Sequence, residues 1–271
     1  METDIPYWQR QSTAKPLYED LLWSRPENRA LAGKLLIVGG HAQGFTRPAE
    51  AFALAEKAGA GTVRVLLPDA LQKTLGRAFV GAEFAPSSPS GSFAAKALGE
   101  LVPLSAWADG VLWAGDLGRN SETAILIEKF FEHYDGQVTL TCDAVDYINI
   151  TPYPVLQRKN TVLVLSFAQL QKFGIGIKYS NAFTFSMDLL RLINALHELT
   201  KRYKITIITK HLGTMIIAAD GEVITTKLPI DMPVWRLKVA ASASVWWLQN
   251  PTKELAALAT AVQQTIALLN S

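Results

Sequence analysis

Short unbroken apolar runs alternate along this chain with longer amphipathic ones. Residues 34–38 (Lys-Leu-Leu-Ile-Val) run into Gly39-Gly40, and an apolar run closed by paired glycines predicts a buried strand followed by a tight turn. Pro48 suits the first turn of the helix predicted over the Ala-rich residues 49–57. Gly59-Ala60-Gly61 ends that helix before a second apolar run at 62–67. Strand, helix, strand is the unit that builds parallel sheets. The alternation continues with strands predicted at 110–113, 137–142, 161–165 and 205–209. A helix is expected over 121–133 with Ser121 as its cap. Another is expected over 188–203, where Leu189, Leu192, Ile193, Leu196 and Leu199 share a face. Asp220-Gly221, set between apolar residues 215–218 and 222–226, predicts a hairpin. Thr252 is the predicted cap of a last helix reaching Leu269, and residues 86–92 (Pro-Ser-Ser-Pro-Ser-Gly-Ser) read as a surface loop.

The pattern predicts an α/β fold: a mostly parallel, doubly wound sheet between two helical layers, in one domain over 1–271. Residues 1–30 are polar and proline-containing and form an extension approaching that domain. In such sheets ligands sit beyond the carboxyl ends of the strands.

Composition sharpens this picture. Of 271 residues, 49% are hydrophobic and only 18% charged, enough apolar material to bury a sheet on both faces or against a second copy. Val245-Trp246-Trp247-Leu248 adds to that excess, and a homo-oligomer is expected. The net charge is +2 with no dense basic run, which leaves no electrostatic footprint for nucleic acid. The apolar run at 239–248 falls short of the ~20 residues that span a bilayer, so no membrane partner is expected. The first ten residues contain Glu2 and Asp4 and lack the apolar segment of a signal peptide. A single cysteine, Cys142, cannot form an internal disulfide. These features fit a cytoplasmic protein, and no metal site is expected.

Several segments together resemble the ADP/ATP-dependent NAD(P)H-hydrate dehydratases. Ile37-Val38-Gly39-Gly40, then Gly44-Phe45-Thr46-Arg47-Pro48, then Ala58-Gly59-Ala60-Gly61-Thr62-Val63 are similar in order and spacing to that family's I-G-G-S, G-Y-T-G-A-P and A-G-A-G-L-V. Ala114-Gly115-Asp116-Leu117-Gly118-Arg119 resembles G-P-G-L-G-R, and Asp143-Ala144 falls within D-A-D-A-L. Lys210-His211-Leu212-Gly213-Thr214, ahead of Asp220-Gly221, is similar to L-K-G-x-x-T before a hairpin. The likeness runs from about residue 20 to the C-terminus. It implies a ribokinase-like three-layer α/β/α fold that uses ATP or ADP, with magnesium, to repair hydrated NAD(P)H by phosphorylating and eliminating the ring hydroxyl. By this resemblance Gly40, Gly44, Thr46, Arg47, Asp116, Gly118 and Asp143 would contact substrate, and Lys210, His211 and Thr214 the nucleotide. The nucleotide phosphates would lie around 232–238.

The resemblance breaks where the family's chemistry is concentrated. The G-[ST]-G-D loop, whose amides hold the phosphate and whose aspartate takes the hydroxyl proton, falls on Met232-Pro233-Val234-Trp235. Pro233 has no N–H to donate, and Trp235 stands at the aspartate position. Asp231 is the only surrogate base nearby, though a loop aspartate beside a proline also forms turns. Arg47, Asp116 and His211 each replace a family glycine, and the T-P-H-x-x-E segment is reduced to Ser166-Phe167-Ala168 and Gln169. Each residue also has a plain structural reading: Gly39-Gly40 and Asp143 as turn formers, Lys210 as a solvated strand end, His211 as structural, and Trp235, Trp246 and Trp247 as core or subunit packing. Three functions stay open: a dehydratase with an unusual loop, a non-catalytic nucleotide-binding or structural homologue, and a small-molecule kinase of the same fold.

Overall fold

The structure is a computed structural model that describes residues 5–76, 79–150 and 152–268. Ten strands form one sheet: β1 (Trp8–Gln11), β2 (Lys34–Gly39), β3 (Thr62–Pro68), β4 (Ala82–Ala85), β5 (Gly110–Gly115), β6 (Gln137–Thr141), β7 (Thr161–Leu165), β8 (Thr206–His211), β9 (Thr214–Ala219) and β10 (Glu222–Lys227). Their order is β1-β10-β9-β8-β7-β6-β5-β2-β3-β4. Only β9 runs against its neighbours; every other pairing is parallel. The ends of β2 and β8, carrying Gly39-Gly40 and Lys210, therefore lie on the same edge, as the β-α-β reading requires.

The central strands are buried on both faces, which is why they read as unbroken apolar runs rather than alternating ones. Leu36, Val38, Trp113, Leu140, Leu163 and Ile207 face one helical layer, which includes the helices Ser121–His133, Phe167–Gly176 and Leu189–Arg202. Leu35, Ile37, Leu112, Val162 and Ile208 face the other, built from the helices Thr46–Lys57, Arg236–Gln249 and Glu254–Ala267. Trp246 and Trp247 lie inside this second layer at 2% and 1% exposure. Their apolar surface is consumed within the chain, so the self-association expected from them draws nothing from these rings. Among the described residues no helix is long and apolar enough to cross a membrane.

Several expectations are corrected at the element ends. Asn120, not Ser121, caps the helix Ser121–His133; its side-chain oxygen accepts from the amides of Glu122 and Thr123 at 2.8 and 3.3 Å. Thr252 does not cap the last helix, which begins at Glu254 without a side-chain cap and ends at Ala267. Leu269, like Glu2 and Asp4, lies outside the described residues. Strand β6 stops at Thr141 because Cys142 takes a left-handed backbone, φ 55°. The N-terminal extension is an integral part of the sheet: β1 pairs parallel with β10, and Gln11 donates to the Thr226 hydroxyl at 3.0 Å and the Ala259 carbonyl at 2.9 Å. The serine-rich residues 86–92 are docked, with Ser88 and Ser92 buried. The hairpin at Asp220-Gly221 forms as expected, with both residues at positive φ (49° and 84°) as the two-residue turn demands.

At the opposite edge of the sheet from Lys210, Glu254 Oε1 accepts from the Thr206 hydroxyl at 2.5 Å. Burial, reinforced by the nearby Asp220 carboxylate, pushes its carboxyl up to about 7 despite the Thr206 bond. Lys159 and Lys204 line the same cleft. The folded chain thus holds this proton more tightly than the unfolded chain. The associated stability is complete below the ordinary carboxyl range, declines as pH rises through it, and is gone above about 7. A Glu254→Gln variant is expected to melt near the unaltered protein at about pH 5 and several degrees above it at about pH 8. The same shift at both pH values in a thermal melt would refute the assignment.

Candidate functional site

The carboxyl ends of β2, β5 and β6 meet at one carboxylate. Asp143 Oδ1 accepts from the Asp116 amide at 2.8 Å and its Oδ2 from the Leu117 amide at 2.9 Å. The Arg47 guanidinium lies 2.9 Å from Asp143 and 3.4 Å from Asp116. Asp116 in turn accepts the Arg47 amide at 2.8 Å. One side chain from the helix after β2 and two from the turns after β5 and β6 thus close a ring of charge-assisted bonds. Gly115 makes room for it: a Cβ there would sit 2.5 Å from Asp143 Oδ1 and 3.2 Å from Arg47 Cδ, and its φ is 108°. Asp116 and Cys142 both adopt left-handed backbone, φ 57° and 55°, which costs an ordinary residue on the order of 1 kcal/mol. The bonds to Asp143 offset that cost.

Two cavities flank this ring. The larger, about 800 Å³, is lined by His41, Asp116, Gly118, Asp143, Tyr147 and Lys172 among others. The smaller, about 250 Å³, lies at the start of the helix Arg236–Gln249 and is lined by Arg47, Glu50, Cys142 and residues 233–237. That helix has no side-chain cap, so its first amides are left without intrahelical partners. Gln169 ties the region together. It shares a capping box with Ser166, donates to the Cys142 carbonyl at 2.7 Å, and accepts from Arg236 at 2.7 Å. Burial pushes the Cys142 thiol up, more than Arg47 and Arg236 lower it, and it stays a poor nucleophile.

The residues named from sequence separate into three groups. Arg47, Asp116, Gly118 and Asp143 are brought together around the cavities. Gly40 and Gly44 shape the loop between them, while Thr46 is exposed and lines neither cavity. Lys210, His211 and Thr214 stand two strands away and offer a nucleotide little. Lys210 Nζ is bound to Asp231 at 2.7 Å and to the Met232 carbonyl at 2.8 Å. The His211 ring is 7% exposed, stacked on Phe167 at 4.4 Å, with Nε2 2.8 Å from the Met187 carbonyl. Thr214 is 7% exposed. Trp235 is 5% exposed, in the core. Lys210 holds the Asp231 carboxyl below the usual carboxylate range, first through the hydrogen bond and then through its charge. His41, Asn120, Tyr147, Gln169 and Lys172 were not singled out as site residues. His41 directly follows Gly40 on a strand-end loop, the one sequence signal that marked it. Among the described residues no group of three or more His, Cys, Asp or Glu side chains is placed to hold a metal ion.

No family model matches the sequence, and no curated protein matches it. Solved structures do. A ribokinase-like superfamily protein from Enterococcus faecalis superposes with a TM-score of 0.71 at 14% identity, over 98% of this chain and 88% of that one. The fold is ribokinase-like. An ADP/ATP-dependent NAD(P)H-hydrate dehydratase from Bacillus subtilis, co-crystallized with ATP and magnesium, gives 0.61 at 11% identity, over 94% and 88%. A phosphomethylpyrimidine kinase from Clostridium difficile gives 0.54 at 8%, over 88% and 99%. The fold is thus shared with proteins named as dehydratase and as kinase, and in this chain one edge of the sheet carries the Arg47–Asp116–Asp143 ring.

The ring is stabilising chiefly through Asp143, which serves two backbone amides as well as Arg47. Asp143→Ala is expected to cost about 2 kcal/mol. Arg47→Ala, at a side chain 40% exposed, is expected to cost about 1 kcal/mol or less. Urea unfolding of both variants checks the order, and an equal or reversed order would show that the amide bonds contribute little.

Proposed function

We propose that this ribokinase-like protein binds ATP or ADP through the phosphates at the start of the helix Arg236–Gln249 and does not dehydrate NAD(P)H hydrate. The observation that carries this reading is Trp235. The resemblance puts the proton-accepting aspartate at this position, and an indole has an N–H to donate but no lone pair able to take a proton. It is 5% exposed, packed in the core with only a small part of its surface at the smaller cavity. The neighbouring surrogate, Asp231, is engaged by Lys210 and held low, which makes it a weak base. Losing a general base alone costs ~10²–10⁴ in rate.

The phosphate end of a nucleotide fits what remains. Arg47 and Arg236 line the smaller cavity with the uncapped helix start, and helix starts attract anions. Any magnesium in this reading travels with the phosphates. Pro233 supplies no amide, and the tied Lys210 and His211 give a nucleobase few donors, so binding is weak. A ring pair also stands in the way: Arg47, beside the smaller cavity, is bonded to Asp143, beside the larger. A phosphoryl group delivered at one would meet that pair before reaching the other.

Recovery of NADH absorbance from its hydrate, with ATP or ADP, is expected to show no turnover. Trp235→Asp alone is expected to leave it so, because Met232-Pro233-Val234 restores no phosphate-binding glycine. Calorimetry is expected to give dissociation constants in the millimolar range. Turnover near ~1 s⁻¹, ordinary for an enzyme, would overturn the proposal in favour of a dehydratase whose base lies elsewhere; submicromolar nucleotide affinity would overturn the claim of weak binding.

A further inference from the structure

At the opposite edge of the sheet from the Arg47–Asp116–Asp143 ring, segments distant in sequence close around a cleft of about 290 Å³. Lys159 comes from the turn before β7, Lys204 and Thr206 from the entry to β8, and Ala219 and Asp220 from the β9–β10 hairpin. Glu254 comes from the first position of the helix Glu254–Ala267. Sites for drug-sized molecules run to ~300–1,000 Å³, so this cleft suits an ion or the charged end of a larger molecule. What it would recognise is set by the polar groups that the protein leaves without partners.

Glu254 is half-engaged. Its Oε1 accepts from the Thr206 hydroxyl, and burial together with the Asp220 charge keeps the carboxyl protonated up to about 7. With Oε1 occupied as an acceptor, the acid proton sits on Oε2, which has no partner among the described residues, so the group is a hydrogen-bond donor to the cleft. Lys159 and Lys204 are exposed and line the cleft with neither ion pair nor hydrogen bond among the described residues. The other charged groups around Glu254 are Asp220, exposed at the hairpin turn, and Lys253, which is already 3.4 Å from Asp20 on the helix Glu19–Trp23. While Glu254 keeps its proton, the two free ammonium groups outweigh the one carboxylate of Asp220. An oxyanion accepts from both lysines and from Glu254 at once; a cation or a neutral hydroxylated molecule leaves the positive charge uncompensated.

We propose that this cleft binds a tetrahedral oxyanion, phosphate or sulfate, free or as the end group of a small molecule, between Lys159 and Lys204 with the Glu254 carboxyl as the third donor. The site shares no residue with either cavity at the other edge of the sheet, so it fills without nucleotide. Its occupant joins the turn before β7, the β9–β10 hairpin and the last helix, and stabilises the folded chain by mass action. Once Glu254 loses its proton the donor becomes a repelling carboxylate, so affinity is full below about 7 and falls as pH rises above it.

The test uses the full chain, without nucleotide, in constant chloride. Sulfate is the main probe because its own charge does not change across the pH range. Calorimetry is expected to give a dissociation constant on the order of 1 mM at about pH 6 and about tenfold weaker binding at about pH 8, the ratio set by the fraction of Glu254 still protonated. Glu254→Gln keeps a donor at that position at every pH and is expected to bind equally at both. The double variant Lys159→Ala/Lys204→Ala is expected to lose about tenfold or more at about pH 6. Both lysines are exposed, so an unchanged melting temperature without sulfate separates lost binding from lost fold. Inorganic phosphate and glycerol 3-phosphate distinguish the sources: equal affinity assigns the site to the free ion, and tighter binding of glycerol 3-phosphate by about tenfold assigns it to an organic phosphate. The proposal is overturned if sulfate at ~10 mM does not bind at about pH 6, if the double variant binds it undiminished, or if the unaltered protein binds it equally at both pH values.

Discussion

The edge of the sheet where ligands would enter is organised by the carboxylate of Asp143. Parallel strands end with their last amides and carbonyls unpaired, and something must satisfy them. Asp143 does so for the turn after β5, accepting the amides of Asp116 and Leu117. In the same bonds it stabilises the left-handed backbone of Asp116. Arg47 then closes the ring from the helix after β2. The Asp116 carbonyl, fixed by this arrangement, orients His41, and the Cys142 carbonyl beside Asp143 accepts from Gln169, which reaches to Arg236. The shapes of both cavities follow from that chain of contacts.

A charged ring in this place has a chemical effect as well as a structural one. Charges that satisfy each other are not available to a ligand, and separating them uncovers a carboxylate bound to two amides. Arg47 is 40% exposed and Asp143 30%, so water screens the pair and it contributes modestly to stability. Its larger effect is on geometry: it occupies the region between the start of the helix Arg236–Gln249 and the larger cavity.

Much of the fold was legible because buried parallel strands leave an unmistakable mark. Runs such as 34–38 and 161–165 have no polar alternation, since both of their faces are covered. The edge strands left no such mark. β1 reads Trp-Gln-Arg-Gln and β4 Ala-Glu-Phe-Ala; only pairing partners far away in sequence make them strands. The site was legible in part. Asp116, Gly118, Arg47 and Asp143 fell together because strand-end turns converge in this architecture. Lys210 and His211 share that edge, but their partners, Asp231 and Phe167, come from other segments, and no local spacing predicts that those contacts use up their polar atoms. Asn120 displaced Ser121 as a cap because both suit the position, and only the backbone geometry of residue 120 decides between them.

The pairing of β1 with β10 bears on how the chain reaches its final form. Gln11 and Thr226 are 215 residues apart, so during synthesis β1 must wait for β10. Throughout synthesis of the intervening α/β units the N-terminal segment has no edge to join, since β10 is still to come. Closing so long a loop brings an entropic cost that the few contacts of a four-residue strand recover only once the β9–β10 hairpin is in place. The β1–β10 seam is therefore a late step of folding, one that waits for the hairpin beside it.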